Sequence, residues 1–251
     1  MTDAPILKVV DLSKLFGGVR ALHRVNFSLN PGELMGVIGP NGSGKTTLVN
    51  LITRFVKPTS GTVFFKGKKI SHLPPYKIVR LGIARTFQMV KPFYNLPAYK
   101  NMIIPLYSPR MKQLASGRYG DRDAVALDLL EEVGFERDAF VAYKVAGALP
   151  QGYLKRLELA KAIALDPDIF ILDELFSGLS LAEVATIVPI IEKLRMAGKS
   201  IIMIEHRLKE LFRIADRVIV MNFGEKIADG LAAEVMASEA VKSAYLGTEA
   251  D

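Results

Sequence analysis

Short apolar runs alternate along the chain with longer stretches of helical periodicity, the pattern of an α/β layer structure. Three runs, Glu33 to Gly39, Asp168 to Asp173 and Lys199 to Glu205, are almost continuously apolar, and each is followed by a helical pattern. Strands covered on both faces read this way, so these runs predict central parallel strands joined by crossover helices. The segment Leu7 to Leu29 and the stretch Gly61 to Ile70 alternate apolar with polar positions and carry turn residues, which predicts an antiparallel sheet beside the main one. From Val90 to about Leu149 the character changes: Pro and Tyr are frequent, a polar patch covers Ser116 to Asp123, and a helical pattern runs from Ala124 to Val133. A helical subdomain inserted over 90–159 is expected there, within one domain whose core comprises 1–89 and 160–251. Neither an internal repeat nor a low-complexity tract is found.

The run Leu34 to Ile38 leads directly into Gly39-Pro40-Asn41-Gly42-Ser43-Gly44-Lys45-Thr46-Thr47, and then into the helical pattern Leu48 to Phe55. Strand, glycine-rich turn and helix start in this order make a phosphate-binding loop. Glycines let backbone N–H groups converge on phosphate oxygens, and the helix N-terminus adds its partial positive charge. Lys45 would reach the β- and γ-phosphates and the Thr46 hydroxyl would ligate Mg²⁺, so nucleotide binding is expected.

Many nucleotide enzymes share that loop, and Ile169-Phe170-Ile171-Leu172-Asp173-Glu174 narrows the choice. The apolar residues bury a strand and deliver Asp173 to its end, where a carboxylate can hold Mg²⁺ through water. Glu174 follows and can polarise an attacking water, the general-base work that hydrolysis requires. No Asn-Lys-x-Asp guanine-reading motif occurs in the sequence, which disfavours a GTPase.

Composition narrows the setting. The 251 residues include no Cys, so a disulfide framework and a thiolate metal site are both excluded. Met1 to Pro5 shows no basic stretch followed by an apolar run; a secretion signal is not expected, and the chain is placed in the cytoplasm. Runs such as Ile201 to Ile204 fall far short of the roughly 18 apolar residues of a membrane span, so any membrane role would come through a partner. The net charge of +7 suits nucleic acid, anionic headgroups or a polyphosphate, and alone selects none of them.

In order along the chain, the phosphate loop, Gln88 in Arg85-Thr86-Phe87-Gln88, the segment Leu149 to Lys161, Asp173-Glu174 and His206 in Ile204-Glu205-His206 resemble the motifs of ABC ATPase domains, over essentially the whole chain. The resemblance implies ATP as substrate, Mg²⁺ as its metal, permease subunits in the membrane and a second ATPase subunit that sandwiches ATP. The chain would then be peripheral to the cytoplasmic face of the membrane, and nucleic acid is not expected as a partner. Phe16 resembles the aromatic residue that stacks on adenine, the alternative being an edge-strand core Phe. Gln88 resembles the glutamine that touches Mg²⁺ or water and senses the membrane partner; the alternative is a surface amide. His206 resembles the switch histidine that contacts the γ-phosphate. The implied catalytic set is Lys45, Glu174 and His206. The implied nucleotide contacts are Phe16, Gly39, Pro40, Asn41, Gly42, Ser43, Gly44, Lys45, Thr46, Thr47 and Gln88, and the metal contacts Thr46, Gln88 and Asp173.

Leu149-Pro150-Gln151-Gly152-Tyr153 occupies the signature position, where the family usually has Leu-Ser-Gly-Gly-Gln. That segment reaches across a head-to-tail dimer in the family and caps the γ-phosphate of the other subunit. Pro150 lacks hydroxyl and N–H, and Gln151 adds bulk; Tyr153 is a candidate to take over part of the contact. Leu175 and Ser180 replace a usual Pro and Asp. A heterodimer with one weakened site is therefore expected, with a homodimer as the alternative. Phe16 to Leu22, Arg85 to Gln88 and the ending Ala244-Tyr245-Leu246-Gly247 look most like ATPases of branched-chain amino acid importers. Lipid or lipopolysaccharide exporters, a soluble non-transport ABC ATPase and a regulatory ATP-binding subunit stand as alternatives. Phe93, Tyr94, Leu96 and Tyr99 would either dock the permease or fill the helical subdomain's own core. Lys91, Lys100, Arg110 and Lys112 would face anionic lipid or solvent.

Overall fold

The computed structural model describes residues 4–114, 121–136 and 140–246. Most of the polar patch from Ser116, the ending at Gly247, the first three residues and the side chain of Lys112 lie outside the described residues. The chain divides into two compact units, Met1–Ile78 with Arg195–Asp251, and Val79–Leu194. The helical subdomain expected over 90–159 falls wholly inside the second unit, which also takes in the residues flanking it on both sides.

The first unit opens with β1 (Leu7–Phe16) and β2 (Val19–Leu29), an antiparallel hairpin in register from Leu7 opposite Leu29 to Phe16 opposite Val19. Alternation works as expected: Leu7 and Val9 are buried and Lys8 between them is exposed. The chain continues through β3 (Leu34–Ile38), α1 (Lys45–Ile52), β4 (Ser60–Phe65) and β5 (Lys68–Lys69), and β2, β1, β4 and β5 form an antiparallel sheet in that order. Gly61 permits the close approach of β4 to β1. Its φ is +88°, and a Cβ there would lie 2.3 Å from the Asp11 carbonyl oxygen.

The second unit begins within α2 (Pro75–Leu81) and contains β6 (Ile83–Arg85), then α3 (Ile103–Leu106), α4 (Pro109–Leu114), α5 (Arg122–Glu132), α6 (Gln151–Ile163), β7 (Ile169–Asp173) and most of α7 (Leu181–Met196). β6 and β7 pair in parallel, Arg85 opposite Ile171. The first unit resumes with β8 (Ser200–Ile204), α8 (Leu208–Ile214), β9 (Arg217–Asn222), β10 (Glu225–Gly230), α9 (Ala232–Ala237) and α10 (Glu239–Leu246). There β3 lies between β8 and β9, parallel to both, and β10 closes the edge antiparallel to β9.

The three apolar runs are indeed strands, and every residue of β3, β7 and β8 is buried. The α/β expectation holds in full, with parallel pairings, a separate antiparallel sheet and helices over the inserted stretch. The structure adds β6, β9 and β10. β6 is three residues long, too short to show a period, and β10 is at most half-buried, which removes its apolar signal.

Candidate functional site

In the first unit β3 delivers the chain into the phosphate loop, which closes on itself through Ser43 N–H donating to the Pro40 carbonyl at 3.2 Å. Gly39, at φ +146°, tolerates no side chain: a Cβ would lie 2.1 Å from the Met221 carbonyl oxygen. Gly44 is the residue before α1 and has φ 101°, so no N-cap side chain takes up the first N–H groups of the helix. A helix start without a side-chain cap is a place where anions bind. Lys45 is 6% exposed, and its Nζ donates to the carbonyls of Gly39 at 2.8 Å and Pro40 at 2.9 Å, which holds the ammonium within its own loop. Ser43 Oγ is buried without a hydrogen-bond partner, while Thr46 on the first turn is exposed. Behind the first half of the loop, α10 brings Tyr245 to the backbone of Gly39, and burial pushes its phenol above the usual range despite that hydrogen bond.

His206 lies on the same edge of that unit. Val37 of β3 pairs in register with Ile204 of β8, so Gly39 and His206 follow parallel neighbours at their carboxyl ends, where open α/β sheets place ligands. His206 is exposed, directly after the buried Glu205. Phe16, at the end of β1, is 47% exposed with Lys14 Nζ 4.8 Å from its ring centre. At that exposure Phe16 is not a core residue.

In the second unit the carboxyl ends of β6 and β7 carry the acidic residues. Asp173 is 2% exposed; its Oδ2 accepts from Arg85 at 2.7 Å, and its Oδ1 is buried with no hydrogen-bond partner. Glu174 has a left-handed backbone, φ +50°, which costs a residue with a Cβ about 1 kcal/mol or more. Gln88 Nε2 donates to Glu174 Oε2 at 2.7 Å, so Gln88 is more than a solvated surface amide. Two residues of this cluster escaped the sequence: Arg85, whose side chain is 6% exposed, and Lys155, which donates to the carbonyls of Gln88 and Glu174. Arg85 was visible only as a neighbour of Gln88.

The signature segment forms the start of α6, with Pro150 exposed as its N-cap and no side-chain cap. Tyr153 turns inward, its ring edge-on to Phe135 at 5.1 Å, so packing within its own unit accounts for it better than a phosphate contact. Gly152 is buried, and a Cβ on it would lie 2.2 Å from Glu183 Oε1. Ser180 and Glu183 exchange hydrogen bonds, Ser180 N–H to Oε2 at 2.7 Å and Glu183 N–H to Ser180 Oγ at 3.2 Å, a capping box that starts α7. Bonds from the Ser180 N–H and hydroxyl hold the Glu183 carboxyl below the usual carboxylate range. Leu175 is 1% exposed and packs in the core.

Phe93, Tyr94 and Leu96 are exposed, with Tyr99 half-buried against Tyr143 at 5.2 Å, so these aromatics do not fill the core of their unit. Asn101 fixes their loop: fully buried, it accepts from Phe93 N–H at 2.6 Å and donates to the Pro97 carbonyl at 3.0 Å. Asn101→Ala is expected to lower the unfolding free energy by about 2 kcal/mol, because those backbone groups lose a buried partner. Urea denaturation measures the loss, and faster amide exchange at Phe93 localises it. Among the basic residues, Lys100 pairs with Asp123 at 2.6 Å, and that hydrogen bond holds its ammonium above the usual range. Arg110 does not face lipid: its guanidinium donates to the carbonyls of Leu165 at 2.9 Å and Asp166 at 2.7 Å, clamping the turn before β7.

Residues 22–177 match the family described as ABC transporter, and residues 225–251 match the branched-chain amino acid ATP-binding cassette transporter family. The high-affinity branched-chain amino acid transport ATP-binding protein BraF of Pseudomonas aeruginosa is 35% identical over 97% of this chain and 98% of its own length. A nucleotide-free ATP-binding cassette from an ABC transporter superposes with a TM-score of 0.86 at 29% identity, covering 96% of this chain and 99% of the other. A dimeric cassette in a post-hydrolysis state, bound to ADP and phosphate, superposes with a TM-score of 0.78 at 26% identity, over 90% of this chain and 98% of its own.

Proposed function

We propose, from the premise that the chain belongs to the ABC transporter family of ATPases, that it powers the import of branched-chain or other hydrophobic amino acids through permease subunits in the membrane. No helix among the described residues is long and apolar enough to cross a membrane. In this reading the chain sits peripherally on the cytoplasmic face and acts through its permease partners. The solute class rests on the similarity to branched-chain amino acid transport ATPases, and one observation supports coupling to a permease: the 2.7 Å hydrogen bond from Gln88 to Glu174 ties the residue expected to sense the permease to the residue expected to prime water.

The residues fit a magnesium nucleotide. The loop amides and the uncapped start of α1 suit phosphate oxygens, and Asp173 Oδ1 lacks a protein partner that a metal-bound water would supply. In this reading the Thr46 hydroxyl, and Asp173 and Gln88 through water, are the groups that would hold Mg²⁺, which would supply positive charge to offset the negative charge on the phosphate oxygens. Lys45 places its ammonium against the same oxygens. Glu174 takes a proton from water as the water oxygen bonds to the γ-phosphorus and the bond to the β–γ bridging oxygen breaks, giving ADP and phosphate. His206 donates to the γ-phosphate and steadies the attack, and Phe16 stacks on adenine.

The partner ATPase in this reading is a different chain. Pro150 offers no N–H or hydroxyl, so the site this signature completes is the weaker of two. The exposed Phe93, Tyr94 and Leu96, with the half-buried Tyr99, form the permease-docking face in this reading. Reconstitution with the permeases in vesicles tests the whole: ATP-dependent uptake of leucine, isoleucine or valine is expected. Stimulation by ribosomes or DNA instead, or none by any permease, would overturn the reading. For the asymmetry, Glu174→Gln is placed here and the equivalent change in the partner ATPase. Unequal losses of turnover support it, and equal losses refute it.

A further inference from the structure

Lys155 sits in the first half of α6, and its side chain is among the most deeply buried in the protein, 1% exposed. Burying an ammonium is unfavourable unless its protons are taken up by acceptors. Here two of them are backbone carbonyls from separate segments: Nζ donates to the Gln88 carbonyl at 2.8 Å and to the Glu174 carbonyl at 3.0 Å. The side chains of those same residues meet at 2.7 Å, so a lysine on the signature helix closes a three-sided network with the loop after β6 and the end of β7. Glu174 holds a left-handed backbone, φ +50°, a conformation that persists only where its surroundings enforce it. The bond from Lys155 to its carbonyl is one such constraint.

We propose that Lys155 is a positioning residue for hydrolysis, which makes the backbones of Gln88 and Glu174 move with the signature helix. It touches neither nucleotide nor water. It sets where the Glu174 carboxylate stands, and any shift of α6 is transmitted to both residues at once. The proposal rests on the reading of Glu174 as general base and of Gln88 as its partner-sensing neighbour.

Lys155→Met keeps the buried stem and removes the donors. In the assembled transporter we expect kcat to fall 10- to 100-fold, since misplacement by a fraction of an ångström is enough, while KM for ATP and the Kd for nucleotide stay within about twofold. Lys155→Arg, which can still donate to both carbonyls, should restore part of kcat. In a Glu174→Gln background Lys155→Met should add little, because both changes act on one group. Should the Met variant fail to fold, Lys155→Gln, with one donor group retained, gives the same readout with a smaller loss. A kcat within twofold of the parent overturns the inference, as does a loss of kcat and nucleotide affinity in parallel. If Glu174→Gln itself leaves turnover intact, the general-base reading fails. If it abolishes turnover while Lys155→Met is silent, only the role of Lys155 fails.

Discussion

Glu174→Gln is expected to lower ATP turnover by about 10²- to 10⁴-fold, the range that general-base catalysis supplies, while ATP affinity changes by no more than about threefold. The separation follows from the local geometry. A glutamine carbonyl can still accept the Gln88 amide that reaches Glu174 Oε2 at 2.7 Å, and the main-chain bond from Lys155 is untouched. What disappears is the ability to take a proton from water. Phosphate release and equilibrium binding of nucleotide, measured on the same preparation, check both halves. A variant that keeps more than a fifth of the parent rate would remove Glu174 from the mechanism.

Lys45→Ala is expected to act on the other half, weakening ATP binding by about 100-fold or more, equivalent to roughly 3 kcal/mol, and bringing turnover down with it. Lys45 is 6% exposed as a residue, and its ammonium is held by the carbonyls of Gly39 and Pro40, so it is oriented inside the loop. A preorganised charge loses little on binding phosphate, which is why its removal costs much. Arginine should not rescue, because a planar fork does not replace a compact point charge inside a turn this tight. Calorimetric titration with ATP decides it, and retention of parental affinity would refute the assignment of the loop.

Much of this was legible because it is local. A strand buried on both faces must be a continuous apolar run, and β3, β7 and β8 are such runs. A phosphate loop must place glycines where the backbone turns back, and Gly39 and Gly44 stand there with positive φ. The general-base candidate was readable for the same reason, being the residue immediately after a buried strand. Roles were harder to read than positions. Pro150, Ser180 and Tyr153 all departed from the family pattern on paper, but the sequence did not show that Ser180 caps α7 or that Tyr153 packs on Phe135.

By itself, then, the order of residues determined the layer class, the central strands, the phosphate loop and the acidic pair that follows β7. Tertiary structure alone decided which charges are spent on holding the molecule together: Arg85 against Asp173, 88 residues away; Lys155 on the Gln88 carbonyl, 67 residues away; and Arg110 on the turn before β7. A lysine or arginine has the same local pattern whether it is solvated or buried. Its partner is chosen by elements that meet only when the chain folds, and such meetings leave no period and no spacing in the sequence.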